Sequence, residues 1–93
     1  MIDLNSTNLT SADMSGINLD GASLVNSDFT NANLANASLQ HANLNYAFVG
    51  GANLEGANLD GADLAGASLY QTSWCRGSQP TEPERDYNCS ASG

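Results

Sequence analysis

The chain has 93 residues with ten acidic and two basic side chains, for a formal net charge of −8. Such a length allows one domain, and a globular core of this size would be marginal. The acidic balance disfavours direct binding to nucleic acid or to an anionic membrane surface, and no apolar run approaches the roughly 20 residues of a membrane-spanning helix.

The large apolar residues are regular from the first turn of the chain. They are Leu4, Leu9, Met14, Leu19, Leu24, Phe29, Leu34, Leu39, Leu44, Val49, Leu54, Leu59, Leu64, Leu69 and Trp74, spaced five apart without a break. Two residues before each stands a smaller one, from Ile2 and Thr7 through Ala52, Ala57 and Ala62 to Thr72. The last place of the repeat often holds Gly or Asn, as at Gly16, Gly21, Asn26, Asn31, Asn36, Gly51, Gly56, Gly61 and Gly66. A helix turns residues five apart by about 140°, so it would scatter them around its surface. A straight strand would send them to alternate faces. Only a chain that turns once per repeat brings every fifth residue to one interior. Gly and Asn then suit the corners, because they tolerate positive φ.

Read as A-(D/N)-L-X-X, this phrase occurs literally in Ala52-Asn53-Leu54-Glu55-Gly56 and Ala62-Asp63-Leu64-Ala65-Gly66. The run from Ile2 to about Arg76 resembles the pentapeptide-repeat family. The resemblance implies an all-β chain: a right-handed quadrilateral parallel β-helix with four repeats per square coil. It is expected to have under four coils and a short C-terminal capping tail or helix. The organisation is then residues 2–76 as β-helix and 77–93 as cap or tail.

In chain order the coils are Ile2 to Gly21, Ala22 to His41, Ala42 to Gly61, and an unfinished fourth from Ala62 to Arg76. The fifteen large residues form the interior columns, each worth about 1.5–3 kcal/mol when buried. The first coil has no evident N-terminal cap, so its end is an edge open to pairing with another molecule. The repeats begin at Ile2, which leaves no signal peptide in this sequence; a mature chain whose targeting segment was replaced by Met1 would read the same. After Cys75 the pattern stops at the breaker run Gly77-Ser78-Gln79-Pro80. Thr81 to Asn88 suits a short helix with Thr81 as its N-cap.

Cys75 and Cys89 are the two cysteines, one on each side of that breaker. A disulfide between them would close a loop of about fifteen residues and contribute ~3 kcal/mol. Two free thiols in a reducing cytoplasm are the alternative. Family members with a disulfide near a terminal helix favour the bridge. An oxidised pair would place the chain in a periplasm or a thylakoid lumen, a reduced pair in the cytoplasm.

No catalytic, metal or cofactor site is expected. His41 is the only histidine and falls at a corner. The carboxylates Asp3, Asp13, Asp20, Asp28, Glu55, Asp60 and Asp63 do not stack on one another at twenty-residue intervals, so they offer no cage. Ser is abundant, but no triad can be built around one outward His. The Asn-X-Ser/Thr sequons at Asn5, Asn8, Asn36 and Asn88 are expected by chance in so Asn-rich a repeat.

Three residues break the pattern outward. Phe48 stands where a small polar residue belongs, Tyr46 replaces a corner Gly, and Tyr70 occupies an outward place. Exposed aromatics in a cluster mark contact surfaces, although packing under the adjoining tail would use them equally well. The leading expectation is a non-catalytic structural or protein-interaction module, with Tyr46, Phe48 and Tyr70 facing an unknown protein partner. A homodimer through a coil end or the aromatic face is a further option. The alternative, from the resemblance, is an acidic DNA mimic that binds DNA gyrase or another DNA-binding protein. An ice-binding face is weaker, since only Thr10 and Thr30 stack.

Overall fold

The computed structural model describes residues 2–73. Among them the backbone forms isolated parallel bridges and turns, with no continuous strand and no helix. Each bridge joins residues twenty apart. Four ladders result: Asp3–Ser23–Asn43–Asp63, Asn8–Asp28–Phe48–Ser68, Asp13–Asn33–Asn53–Ser73 and Asn18–Ser38–Asn58. Four five-residue repeats therefore complete one coil, and each ladder runs along one side. A side is only about three residues long between corners, too short for a strand to develop, so pairing reduces to one bridge per contact.

The five places of a repeat divide the backbone hydrogen bonding among them. In Ala52-Asn53-Leu54-Glu55-Gly56, the second-place N–H donates to the preceding coil, Asn53 to Ala32 O at 2.9 Å. The third-place N–H donates to the following coil, Leu54 to Ser73 O at 2.8 Å. Corner N–H groups also donate forward, as Gly51 does to Tyr70 O at 2.9 Å. The first-place N–H closes the corner onto the large residue three before it, as Ala57 does to Leu54 O at 3.0 Å.

Each corner carries positive φ at its fifth-place residue, the geometry that a type II turn demands at its third position. Gly meets the demand at six corners, from Gly16 (72°) to Gly66 (73°), and Asn26, Asn31 and Asn36 meet it at 60–61°. Ser6, Ser11, His41, Tyr46 and Gln71 adopt the same conformation, which composition alone would not have singled out. The corner side chains lean toward the following coil. A Cβ added to Gly66 would lie 2.6 Å from Cδ1 and Cε1 of the Tyr46 ring, whereas one added to Gly16 would meet nothing. Gly66 is thus favoured by its φ and again by the aromatic ring lying over it.

The interior is filled by two registers. Leu19, Leu24, Phe29, Leu34, Leu39, Leu44, Val49, Leu54, Leu59 and Leu64 are buried, and Met14 sits at the margin of burial. The Ala residues two places before them, from Ala22 to Ala62, close the remaining gaps. Where a hydroxyl replaces one of these Ala methyls it is hydrogen-bonded: Ser27 donates to Leu24 O at 2.6 Å and Thr72 to Val49 O at 2.7 Å, as a buried polar group requires. Leu4, Leu9 and Leu69 depart from the uniform depth expected of the columns, being only partly buried. Leu4 and Leu9 have a described coil on one side only, and Leu69 stands in the last described coil. Trp74, the boundary at residues 76 and 77, and the Thr81 to Asn88 segment lie outside the described residues.

Candidate functional site

In a repeat with a described coil on both sides, the fourth-place N–H is the one backbone donor that neither the ladders nor the turns consume. It needs an acceptor on the outer surface, and the second-place side chain supplies one. Asn53 Oδ1 accepts from Glu55 N at 3.0 Å, Asn58 Oδ1 from Asp60 N at 3.0 Å, and Asp63 Oδ1 from Ala65 N at 3.1 Å. Asp3, Asn8, Asp13, Asn18, Asp28, Asn33 and Asn43 do the same. This is the side-chain-to-backbone bond two residues on that Asn and Asp form readily, and it explains why the second place holds those residues so often.

At two second-place Ser residues, Ser23 and Ser38, the preceding coil compensates. Asn5 Oδ1 accepts from Val25 N at 2.9 Å and from the Ser23 hydroxyl, and Asp20 Oδ1 accepts from Gln40 N at 2.9 Å and from the Ser38 hydroxyl. Asn45 stands where Asn5 stands, two coils on. Its Oδ1 is buried without a partner among the described residues, because Asp63 already serves the Ala65 N–H that Asn45 would otherwise reach.

Two fourth-place donors find no acceptor among the described residues: the N–H groups of Gly50 and Tyr70. Phe48 stands where the acceptor for Gly50 belongs. Ser68 stands where the acceptor for Tyr70 belongs, and the compensating place in the preceding coil is held by Gly50, which has no side chain. Both donors lie on one side of the solenoid, in adjacent coils, joined by the Phe48–Ser68 bridge.

The exposed aromatics occupy the same place. Phe48 is 52% exposed, Tyr46 61% and Tyr70 72%. Phe48 and Tyr70 share one side, and Tyr46 holds the corner leading into it, its ring seated on Gly66. Tyr46 N donates to Ala65 O at 3.0 Å, Phe48 N to Ser27 O at 2.9 Å, and Tyr70 O accepts from Gly51 N at 2.9 Å, so all three are anchored to the ladder through their own backbones. Asp28 flanks the cluster as the bridge partner of Phe48. The Thr30 hydroxyl at 2.6 Å and then the Thr30 N–H at 3.0 Å hold the Asp28 carboxyl below the usual carboxylate range. On the adjoining side, exposed Asp63 lies two residues before Ala65, whose carbonyl receives the Tyr46 N–H.

The repeat pattern recurs in known proteins. A family model of pentapeptide repeats matches residues 2–40 and 32–73, in eight copies. The chain belongs to the pentapeptide-repeat family. Its structure resembles that of HetL, a pentapeptide-repeat protein involved in heterocyst differentiation regulation from the cyanobacterium Nostoc, with 36% identity, a TM-score of 0.58, and coverage of 84% of this chain and 43% of HetL. It also resembles the pentapeptide-repeat protein Rfr23 from the cyanobacterium Cyanothece, with 47% identity, a TM-score of 0.50, and coverage of 75% of this chain and 51% of Rfr23. The chain thus spans about half the length of each, and no curated protein matches it. Family and neighbours together make the fold a right-handed β-helix solenoid.

Other candidate residues of this pentapeptide-repeat chain fall apart from the cluster. His41 sits at a corner with φ of 59°, its ring over Gly61. Among the described residues no three His, Cys, Asp or Glu converge as metal ligands, and no helix is long and apolar enough to cross a membrane. Thr10 and Thr30 each turn their hydroxyls to the second-place Asn8 and Asp28 of their own repeats. Cys75 and Cys89, and with them the disulfide, lie outside the described residues.

Proposed function

We propose that this pentapeptide-repeat chain is a non-catalytic interaction module whose contact surface is the side bearing Tyr46, Phe48 and Tyr70. The observation that carries the reading is the coincidence of three exposed aromatic rings with the Gly50 and Tyr70 N–H groups that no described residue accepts. Aromatic anchors on a rigid support are the residues that dominate binding energy at protein interfaces. The reading takes the chain as under four coils, closed by residues 77–93.

The experiment is a paired measurement on Phe48→Ala and Tyr70→Ala: thermal stability, and affinity for a partner captured from the source. Contact anchors predict a loss of about 1–2 kcal/mol or more of binding per substitution, with the melting point nearly kept. A lowered melting point with unchanged binding would make the surface a packing face for the chain's own tail and end the proposal.

A DNA-mimic reading is favoured by one observation: the described residues carry seven carboxylates and no Lys or Arg. The longest ladders advance three coil steps of roughly 4.8 Å each, less than half of the ~34 Å of one duplex turn. We therefore place it second. Inhibition of gyrase supercoiling by the purified chain would reverse that order.

A further inference from the structure

We propose that the side bearing Phe48, Tyr70 and Tyr46 docks an extended, arginine-bearing segment of a basic partner protein. The inference rests on the interaction reading above and adds the chemistry of the partner.

Charge makes the first selection. The described residues hold seven carboxylates and no Lys or Arg, so every ring and carboxylate of this side lacks a cation from the described chain. A second copy of the chain, itself at −8, meets the surface with like charge. Nucleic acid and anionic headgroups are repelled for the same reason.

The rings make the second selection. An aromatic face attracts a cation through its quadrupole, and a planar guanidinium adds stacking that an ammonium lacks. Asp28, one coil before Phe48 on the same side, and Asp63, on the adjoining side, supply carboxylates that a guanidinium fork would read. Among the described residues, Oδ1 of Asp28 takes the Thr30 bonds and its second oxygen takes none.

The two donors without an acceptor among the described residues make the third. Gly50 N–H and Tyr70 N–H call for oxygen acceptors on an otherwise acidic side. A carboxylate or phosphate would satisfy them but meets the field of Asp28 and Asp63. A peptide carbonyl is a neutral acceptor, and in an extended segment it lies beside the side chains that bear the positive charge. A small organic cation would use the rings and leave both donors unserved. An extended basic peptide serves rings, carboxylates and donors together.

The test is an NMR titration of the full ¹⁵N-labelled chain with three acetylated ten-residue peptides of alternating Arg-Thr, Lys-Thr and Glu-Thr. The expected result is amide shifts concentrated at Gly50 and Tyr70 and ring shifts at Tyr46 and Phe48. The Arg peptide should bind at least about fivefold more tightly than the Lys peptide, as stacking requires, and the Glu peptide should not bind. Phe48→Asn and Tyr70→Ala should each weaken the Arg peptide about tenfold. Equal Arg and Lys binding with shifts spread over Asp3, Asp13 and Glu55 would overturn the inference, leaving only a diffuse acidic field. Tighter peptide binding by Arg76→Gln or Arg85→Gln would also overturn it, by making the chain's own arginines the occupants. If the two substitutions abolish capture of a partner while the Arg peptide shifts nothing near Gly50, the surface stands as an interface and the basic-partner assignment falls. Capture insensitive to both substitutions sinks the interaction reading itself.

Discussion

Two neighbouring repeats of one coil share their first and fifth places, differ at the second, third and fourth, and end with different surfaces. In Ala52 to Gly56 every backbone donor but the last is accounted for within the described solenoid: Ala52 into its turn, Asn53 backward, Leu54 forward, and Glu55 onto the Asn53 side chain. In Ala47 to Gly51 the ladder and turn bonds are the same, but Phe48 replaces the acceptor and Gly50 N–H is left without a described partner. The interior does not register the change, since Leu54 and Val49 are buried alike. A solenoid side thus separates its two tasks. The inner register sets stability, and the outer second place decides whether the surface is closed or open to a partner. Substitutions on each register test that separation.

The largest effect belongs to the register the two repeats share. Leu54→Asp replaces a buried side chain with an unpaired charge in the middle of the stack. It should cost upwards of ~4 kcal/mol, combining the cavity left by a buried Leu with an unsatisfied charge, a large part of the stability of a small domain. Because each coil packs only on its neighbours, the loss should spread to both sides of the substitution, read by circular dichroism and thermal melting. A soluble variant with the parent's spectrum and melting point would mean that Leu54 is not interior and would undo the comparison at its root.

The corners come next. Gly16→Ala and Gly66→Ala both put a methyl on a residue at positive φ, at a cost of roughly 1–2 kcal/mol. Only Gly66→Ala must also turn the Tyr46 ring aside, adding on the order of 0.5–1.5 kcal/mol if the ring is driven off its preferred rotamer. Denaturant midpoints should rank the pair, and the Tyr46 ring signals should move in Gly66→Ala alone. Equal losses with an unmoved ring would show that Tyr46 is not seated on the following coil and would weaken the case for a preorganised aromatic side.

The register of large residues was legible because only a chain that turns once per five residues places Leu4 to Leu69 around one interior. Four sides to a coil came from the family resemblance, and the twenty-residue stacking followed from that, including the separation of Asp13, Asp28 and Asp63 onto Asn33, Asn8 and Asn43. The corner conformation was legible at Gly and Asn. It was hidden at Ser6, Ser11 and Gln71, where position in the turn overrides the residue's own preference. Partial burial of Leu4, Leu9 and Leu69 is a matter of place along the stack, which a periodic pattern does not encode. Phe48 and Tyr70 stood out as large residues at outward places, but the Gly50 and Tyr70 donors did not. The signal was present in the recurrence of Asn and Asp one residue before most of the large apolar residues. Its meaning required knowing that those side chains reach the N–H two residues on.

The smallest effect bears most directly on the difference between the two repeats. Asn53→Ala removes the acceptor for Glu55 N–H and should cost about 0.5–1.5 kcal/mol, the net worth of one hydrogen bond. Phe48→Asn and Phe48→Ala both remove the ring, so the loss of its half-buried surface is common to them, and only Phe48→Asn offers Gly50 N–H an acceptor. The Phe48→Asn protein should therefore be more stable than the Phe48→Ala protein by the same about 0.5–1.5 kcal/mol that separates the parent from Asn53→Ala. Comparing the two Phe48 variants with each other cancels the aromatic contribution and leaves the bond. Amide exchange gives an independent reading at single residues: Gly50 should exchange faster than Glu55 in the parent and slow toward it in Phe48→Asn. Tyr70 N–H should stay fast in every variant, because Ser68 and Gly50 still offer it nothing. Two Phe48 variants of equal stability and equal Gly50 exchange would mean that the second place at this side does not govern the donor, and the openness of the aromatic face would then need a cause other than the missing Asn.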